Sequence, residues 1–151
     1  MQAEIRQAVK DAKTLVEVRD SLFNLFRQLR ALGQPRIGYV SGVITSEGKE
    51  HVSENIQKLD NFTKQIRTQQ EIPVFSATDV FDDTLFERLE AAGFVNTDWE
   101  VFWKEVLGTE DKFVTDMFMT PGWEHSHGAS DEHRIAQQTG MKIYYLKDGL
   151  E

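Results

Sequence analysis

Four short apolar runs alternate with longer segments whose apolar residues recur every three or four positions, and this alternation constrains the fold more than any other feature of the chain. The runs are Arg36 to Ser41 (Ile37, Tyr39, Val40), Ile72 to Ala77, Phe113 to Met119 and Met141 to Leu146. Each reads as a buried strand, with Pro73 tolerated near the start of the second. Between the first two, Val52, Ile56, Leu59, Phe62 and Ile66 predict a helix over His51 to Gln70, with Ser46 or Ser53 as its cap. Phe81, Leu85, Phe86 and Leu89 predict a helix ending at Gly93. Trp99, Phe102, Trp103 and Val106 predict another, capped by Thr97 or Asp98 and stopped at Gly108. Ala129 to Thr139, closed by Gly140, is the last.

Ahead of this pattern, residues 2 to 32 read as helix. Leu15, Val18, Leu22, Leu25, Leu29 and Leu32 form a stripe that Ile5, Val9 and Ala12 extend, with a possible break at Thr14 or Asp20. Gly33 and Pro35 end it. Its polar face is not enriched in Lys and Arg, which argues for packing or oligomerisation rather than a membrane surface. The expected organisation is an N-terminal helical extension, 1–34, and an α/β domain, 35–151. Strands alternating with helices imply a mostly parallel sheet of four or five strands flanked by helices, flavodoxin- or Rossmann-like.

Composition narrows the chemistry. With 151 residues, 40% hydrophobic and 28% charged, the chain suits one globular domain. The absence of cysteine removes thiol catalysis, cysteine zinc sites and disulfides together. A formal charge of −8 argues against polymeric nucleic acid as a partner, while a single nucleotide needs only a local donor-rich pocket. Met1 to Gln28 lacks the continuous apolar core of a signal peptide, and no run approaches the roughly 18 apolar residues of a membrane span. A cytoplasmic protein with no membrane partner is the expectation.

In a parallel α/β sheet, ligands sit beyond the carboxyl ends of the strands. Ser41 to Lys49, Ser76 to Asp83 and Thr120 to Glu132 meet that condition. The third is the richest. Pro121 and Gly122 make a turn after the strand, and Ser126 to Ala129 lead into a helix whose free N–H groups favour an anion. Glu132 is expected in that helix's first turn, facing the crevice and kept ionised by the helix dipole. An ionised, positioned carboxylate can attack a sugar carbon. An acidic residue early in a helix also serves stability alone.

Other constellations compete. His125, His127 and His133, with Glu124, Asp131 and Glu132, suggest metal ligands, but their spacing does not fit a His-x-His-x-Asp-His pattern, and no metal or cofactor is expected. Lys49 with Thr45 and Ser46 offers either a phosphate contact or a solvated turn, without P-loop spacing. Asp79, Asp82 and Asp83 suit helix capping better than cation or sugar binding. Trp99 and Trp103, four apart, suit a core or subunit interface. Trp123 sits in the candidate loop, where an indole can stack on a base.

Two stretches carry a family resemblance. One is Tyr39-Val40-Ser41-Gly42-Val43-Ile44. The other is Asp116, Met117 to Met119, Pro121, Gly122, Trp123, Ser126, Gly128, Ala129 and Glu132, in that order. Together they resemble the nucleoside 2-deoxyribosyltransferase superfamily, especially a small bacterial and phage branch with a Pro-Gly-Trp-x-x-Ser-x-Gly-Ala-x-x-Glu motif. Val43 stands where the family usually has Pro. The resemblance implies cleavage or transfer at the N-glycosidic bond of a nucleoside or nucleoside 5′-monophosphate, with Glu132 as nucleophile and Asp98 or Asp111 assisting proton transfer. It further implies substrate contacts from Tyr39, Ser41, Gly42, Thr45, Gly122, Trp123, Ser126 and Gly128, and a homo-oligomer. The rival readings are a nucleotide-binding module without turnover and, less favoured, a metal-dependent hydrolase built on the histidines.

Overall fold

The structure is a computed structural model that describes residues 1–44 and 49–147. Two helices lead, α1 (Gln2–Val9) and α2 (Leu15–Ala31), followed by β1 (Gly38–Ser41), α3 (Val52–Gln69), β2 (Val74–Ser76), α4 (Ala77–Val80), α5 (Asp83–Ala91) and α6 (Asn96–Gly108). β3 (Asp116–Met119), α7 (His127–Thr139) and β4 (Lys142–Tyr145) complete the chain, with single 3-10 turns at Lys49–His51 and Trp123–His125. The strands form one sheet in the order β2-β1-β3-β4, parallel at every pairing. The expected α/β architecture is therefore present, with four strands.

The order explains the layering. The chain steps from β1 outward to β2, then returns to the other side of β1 for β3 and moves on to β4. Crossovers of one hand that travel in opposite directions must lie on opposite faces of the sheet. Residue alternation agrees, because Tyr39, Met117 and Met119 join one apolar cluster while Val40 and Phe118 join another. On the second face, Leu59 and Ile66 of α3 cover Val40, Val74 and Phe118. The first face carries the larger cluster, with Leu22 and Phe26 of α2, Leu85 and Leu89 of α5, Phe102 and Val106 of α6, and Ala129 and Ala136 of α7.

The N-terminal helices share that cluster with the sheet. The break falls at Thr14, whose side chain accepts from the Glu17 amide at 3.1 Å and caps α2. The fully buried stripe runs Leu15, Val18, Leu22, Phe26, with Leu25 and Leu29 partly buried against the core and Leu32 outside it. Phe26 packs between Phe75 and Phe113, at centroid distances of 5.5 and 5.8 Å. Burying such a side chain contributes about 2–3 kcal/mol. Leu32 follows the last turn of α2 and is 81% exposed.

Several local expectations are corrected. The region after β2 is two helices rather than one: Asp79 caps the start of α4 by accepting from the Ser76 amide at 2.9 Å, and Asp82 caps the start of α5 by accepting from the Leu85 amide at 2.8 Å. Capping by Asp79 and Asp82 is as the sequence suggested, and Asp79 is buried and also receives Arg67 at 2.6 Å. For α6 the N-cap position is Val95, not Thr97, and Asp98 serves as the acceptor from the Val95 amide at 2.8 Å. α3 starts after His51, which puts Ser53 inside the helix, and Ser46 lies outside the described residues. Among the described residues, no helix is long and apolar enough to cross a membrane.

Candidate functional site

The sheet reverses its strand order between β1 and β3, the position at whose carboxyl end α/β sheets generally bind ligands. Residues two apart on a strand share a face, so Tyr39 and Ser41 project to the same side, toward α7. α7 begins at Ser126, whose hydroxyl accepts from the Ala129 amide at 3.2 Å. This start puts Glu132 in the second turn, one turn later than the sequence suggested, and its side chain lies over β1.

Both carboxylate oxygens of Glu132 are held. The Ser41 hydroxyl donates to Oε1 at 2.7 Å and the Tyr39 phenol donates to Oε2 at 3.2 Å. Ser41 is fully buried and Tyr39 nearly so, its ring fixed against Phe75 at 5.2 Å and Trp103 at 5.0 Å. Two rigid strand residues therefore aim one carboxyl group. Glu132 itself is half-buried.

The electrostatics differ from the expectation of a carboxylate kept ionised by a helix dipole. Burial pushes the Glu132 carboxyl up to about 7, against the opposing hydrogen bonds from Ser41 and Tyr39 and with a small further push from Asp131. The dipole of α7 acts over its first turn, and Glu132 lies beyond it. Burial and the neighbouring Glu132 also carry the Tyr39 phenol well above its ordinary value, so it remains a donor at neutral pH.

Thr120, which the sequence did not single out, completes the frame. It is buried, and both its amide and its hydroxyl donate to the Ser41 carbonyl at 3.0 Å, tying the end of β1 to the residue after β3. Gly42 is required there on steric grounds: a Cβ would stand 2.4 Å from Thr120 Oγ1 and 3.3 Å from Leu59 Cδ1. The signal for Thr120 was its place immediately after a strand and before Pro121-Gly122.

The remaining sequence-predicted residues take distinct positions. Gly122 adopts a left-handed φ of 84° and turns the chain into the 3-10 segment. Gly128 sits exposed in the first turn of α7, with nothing within 4 Å of the position a Cβ would take. Trp123 stacks on His133 at 4.3 Å, and His133 meets the Tyr145 hydroxyl at 2.7 Å, so one indole face already has an aromatic partner. Thr45 and the Lys49 side chain lie outside the described part of the structure.

The two candidate proton-transfer residues part company. Asp98 belongs to the N-terminal turn of α6, near the start of α7, because Glu100 reaches His127 at 3.6 Å. Asp111 is exposed in the turn between α6 and β3, where its carbonyl accepts from Arg30. That turn precedes the amino end of β3, whereas Ser41 and Thr120 mark the carboxyl ends. The structure brings Tyr39, Ser41 and Glu132 together and adds neither aspartate to that contact.

Asp116 anchors the opposite end of the sheet. It is buried and accepts from Arg36 at 2.6 Å, Thr115 at 2.6 Å and Tyr144 at 2.9 Å. Burial pushes its carboxyl up, but these three donors and the Arg36 charge outweigh that and hold it below the ordinary range. Its part in the motif is to pin β1, β3 and β4. A cleft of about 410 Å³ beside the start of β2, lined by Met1, Leu25, Leu29, Arg67 and Pro73, contains none of the sequence-predicted site residues.

Comparison with curated proteins and with solved structures gave no match for this chain. The family model described as Domain of unknown function (DUF4406) matches residues 99–145, a span that runs from α6 through β3 and α7 to β4 and takes in Thr120, Ser126 and Glu132.

Proposed function

We propose that the chain cleaves or transfers the N-glycosidic bond of a nucleoside or nucleoside 5′-monophosphate, with Glu132 as the nucleophile. The observation that carries the reading is the clamp on Glu132: both carboxylate oxygens held by Tyr39 and Ser41, at the carboxyl end of the switch-point strand. A buried hydroxyl pair orients the carboxyl without neutralising it, as a cation would. The ionised form, once reached, is poorly solvated and available to attack carbon. The resemblance of the Tyr39 to Ile44 and Asp116 to Glu132 stretches to the nucleoside 2-deoxyribosyltransferase superfamily supports the same substrate class.

In this mechanism Glu132 bonds to the anomeric carbon as the bond to the base breaks, and the electron pair leaves with the base, which takes up a proton. Water or a second base then attacks the anomeric carbon and releases Glu132. Tyr39 and Ser41 hold the nucleophile, while the turn at Gly122 and the exposed first turn of α7 at Gly128, beside the buried cap Ser126, receive the sugar or its phosphate. Asp98 is the better placed of the two aspartates to protonate the base, since α6 and α7 begin at the same end of the sheet. A homo-oligomer whose neighbour completes the site is part of the proposal.

The test is a panel of nucleosides and 5′-monophosphates incubated with the protein, with free base followed by chromatography. Release of base that disappears in Glu132→Ala supports the proposal. Ligand binding without any release, in wild type and Glu132→Gln alike, would make the site a nucleotide-binding module instead.

A further inference from the structure

We propose that Glu100, His127 and Asp131 form a binding site for one divalent transition-metal ion that bridges α6 and α7. His127 and Asp131 are four apart on α7 and therefore lie on one face, one turn above the other. Glu100 comes from the neighbouring helix, α6, and completes a set that proximity in sequence did not show.

The distances are those of a chelate. His127 Nε2 stands 3.3 Å from Asp131 Oδ2 and 3.6 Å from Glu100 Oε1, and all three ligand atoms lie within 4.8 Å of one another. Metal–ligand bonds of about 2.0–2.1 Å in a tetrahedral arrangement put neighbouring ligand atoms about 3.4 Å apart. Two of the three edges match that length to within a few tenths of an ångström. One imidazole nitrogen and two carboxylate oxygens suit zinc, and also cobalt or manganese. Three protein ligands leave a position for water.

The set is also oriented from outside. Arg134 donates to Asp131 Oδ1, which leaves Oδ2 directed at His127. Ligating carboxylates are commonly held by such an outer contact. His127 and Glu100 are well exposed, at 75% and 49% for the side chains, so an ion enters from solvent without rearrangement. The sequence argued against metal because it considered His125 and His133 with His127. His133 is instead engaged by Trp123 and Tyr145 and joins no such set among the described residues. The site is independent of the proposed glycosidic chemistry and stands or falls on binding alone.

The competing state is a protonated His127 paired with two carboxylates and needing no ion. Calorimetric titration of the chelator-treated protein with Zn²⁺, and absorption spectroscopy with Co²⁺, separate the two. One ion per chain is expected, with visible Co²⁺ ligand-field bands. His127→Ala and Glu100→Gln should each weaken binding at least about tenfold, and His125→Ala should leave it unchanged. Circular dichroism of each variant confirms that the helices persist, as exposed positions allow. No saturable binding, binding that survives both His127→Ala and Glu100→Gln, or binding that disappears with His125→Ala overturns the proposal.

Discussion

Replacing Glu132 by Gln asks whether its surroundings penalise the ionised carboxyl. Burial carries that carboxyl from an ordinary 4.5 up to about 7. The folded protein then holds the proton more tightly than the unfolded chain does. Stability from this group is fully present below the unfolded value and is lost as the pH rises through the folded one. At about 1.4 kcal/mol per pKa unit, the rise from 4.5 to about 7 amounts to about 3 kcal/mol. Gln never ionises, and its amide still meets the Ser41 and Tyr39 hydroxyls. Glu132→Gln should therefore exceed wild type in stability by up to about 3 kcal/mol at about pH 9, and lose that advantage toward about pH 4.5. Between about pH 5.5 and about pH 9 the difference should change by roughly 2 kcal/mol, or about 1 M in urea midpoint for a slope of about 2 kcal/mol/M. Titrating groups that do not touch Glu132, Asp116 included, are common to both proteins and cancel. Trp103, packed on the Tyr39 ring, offers a fluorescence probe for the transition. A stability difference that stays flat across this window, or a wild type that is the more stable protein at the alkaline end, would refute the reasoning.

If Glu132 attacks as the anion, kcat/KM for base release should rise with pH through about 7 and level off above it; a profile that falls there would assign Glu132 as an acid instead. Tyr39→Phe removes one of the two donors to the charged form, worth about 1.5 kcal/mol, and should move that midpoint up by about one pH unit. An unmoved midpoint would show that the 3.2 Å contact carries no charge stabilisation. Gly42→Ala drives a Cβ to 2.4 Å from Thr120 Oγ1 and should cost about 1–3 kcal/mol in chemical denaturation. Combined with Thr120→Ala it should cost less than the sum of the two single changes, and strict additivity would mean the backbone yields elsewhere.

The fold was largely legible because its signals are local. Each strand is a run of apolar residues and each long helix a stripe, so element type and order followed from periodicity. What periodicity does not encode is which stripe wins where two overlap. On α2, Leu25 and Leu29 compete with Phe26, and the aromatic pocket of Phe75 and Phe113 decides for Phe26. The same holds for Asp79 to Gly93, where two successive acidic caps divide what reads as one helix. Glu132 was legible as a position, through a strand, a turn and a helix start. Its protonation was not, because the burial and the two hydroxyl donors that set it depend on packing against β1, some 90 residues away in the chain. Glu100 beside His127 was hidden for the same reason.

Asp116 and Glu132 show what separates a structural carboxylate from a candidate reactive one. Both are crowded by protein, and burial is the largest influence raising each. Asp116 meets a guanidinium as well as two hydroxyls and ends below the ordinary range. Among the described residues Glu132 meets two hydroxyls and no cation, and it ends near neutrality. Their places on the sheet differ in the same sense. Asp116 starts β3, at the end where strands are only joined, while Glu132 closes over the carboxyl end of β1, where an α/β sheet opens to ligands. A cation beside Glu132 would make the clamp more stable and less reactive. Among the described residues the Tyr39–Ser41–Glu132 contact includes no such cation, which is the arrangement the proposed nucleophile requires, a carboxyl group held in place without being neutralised.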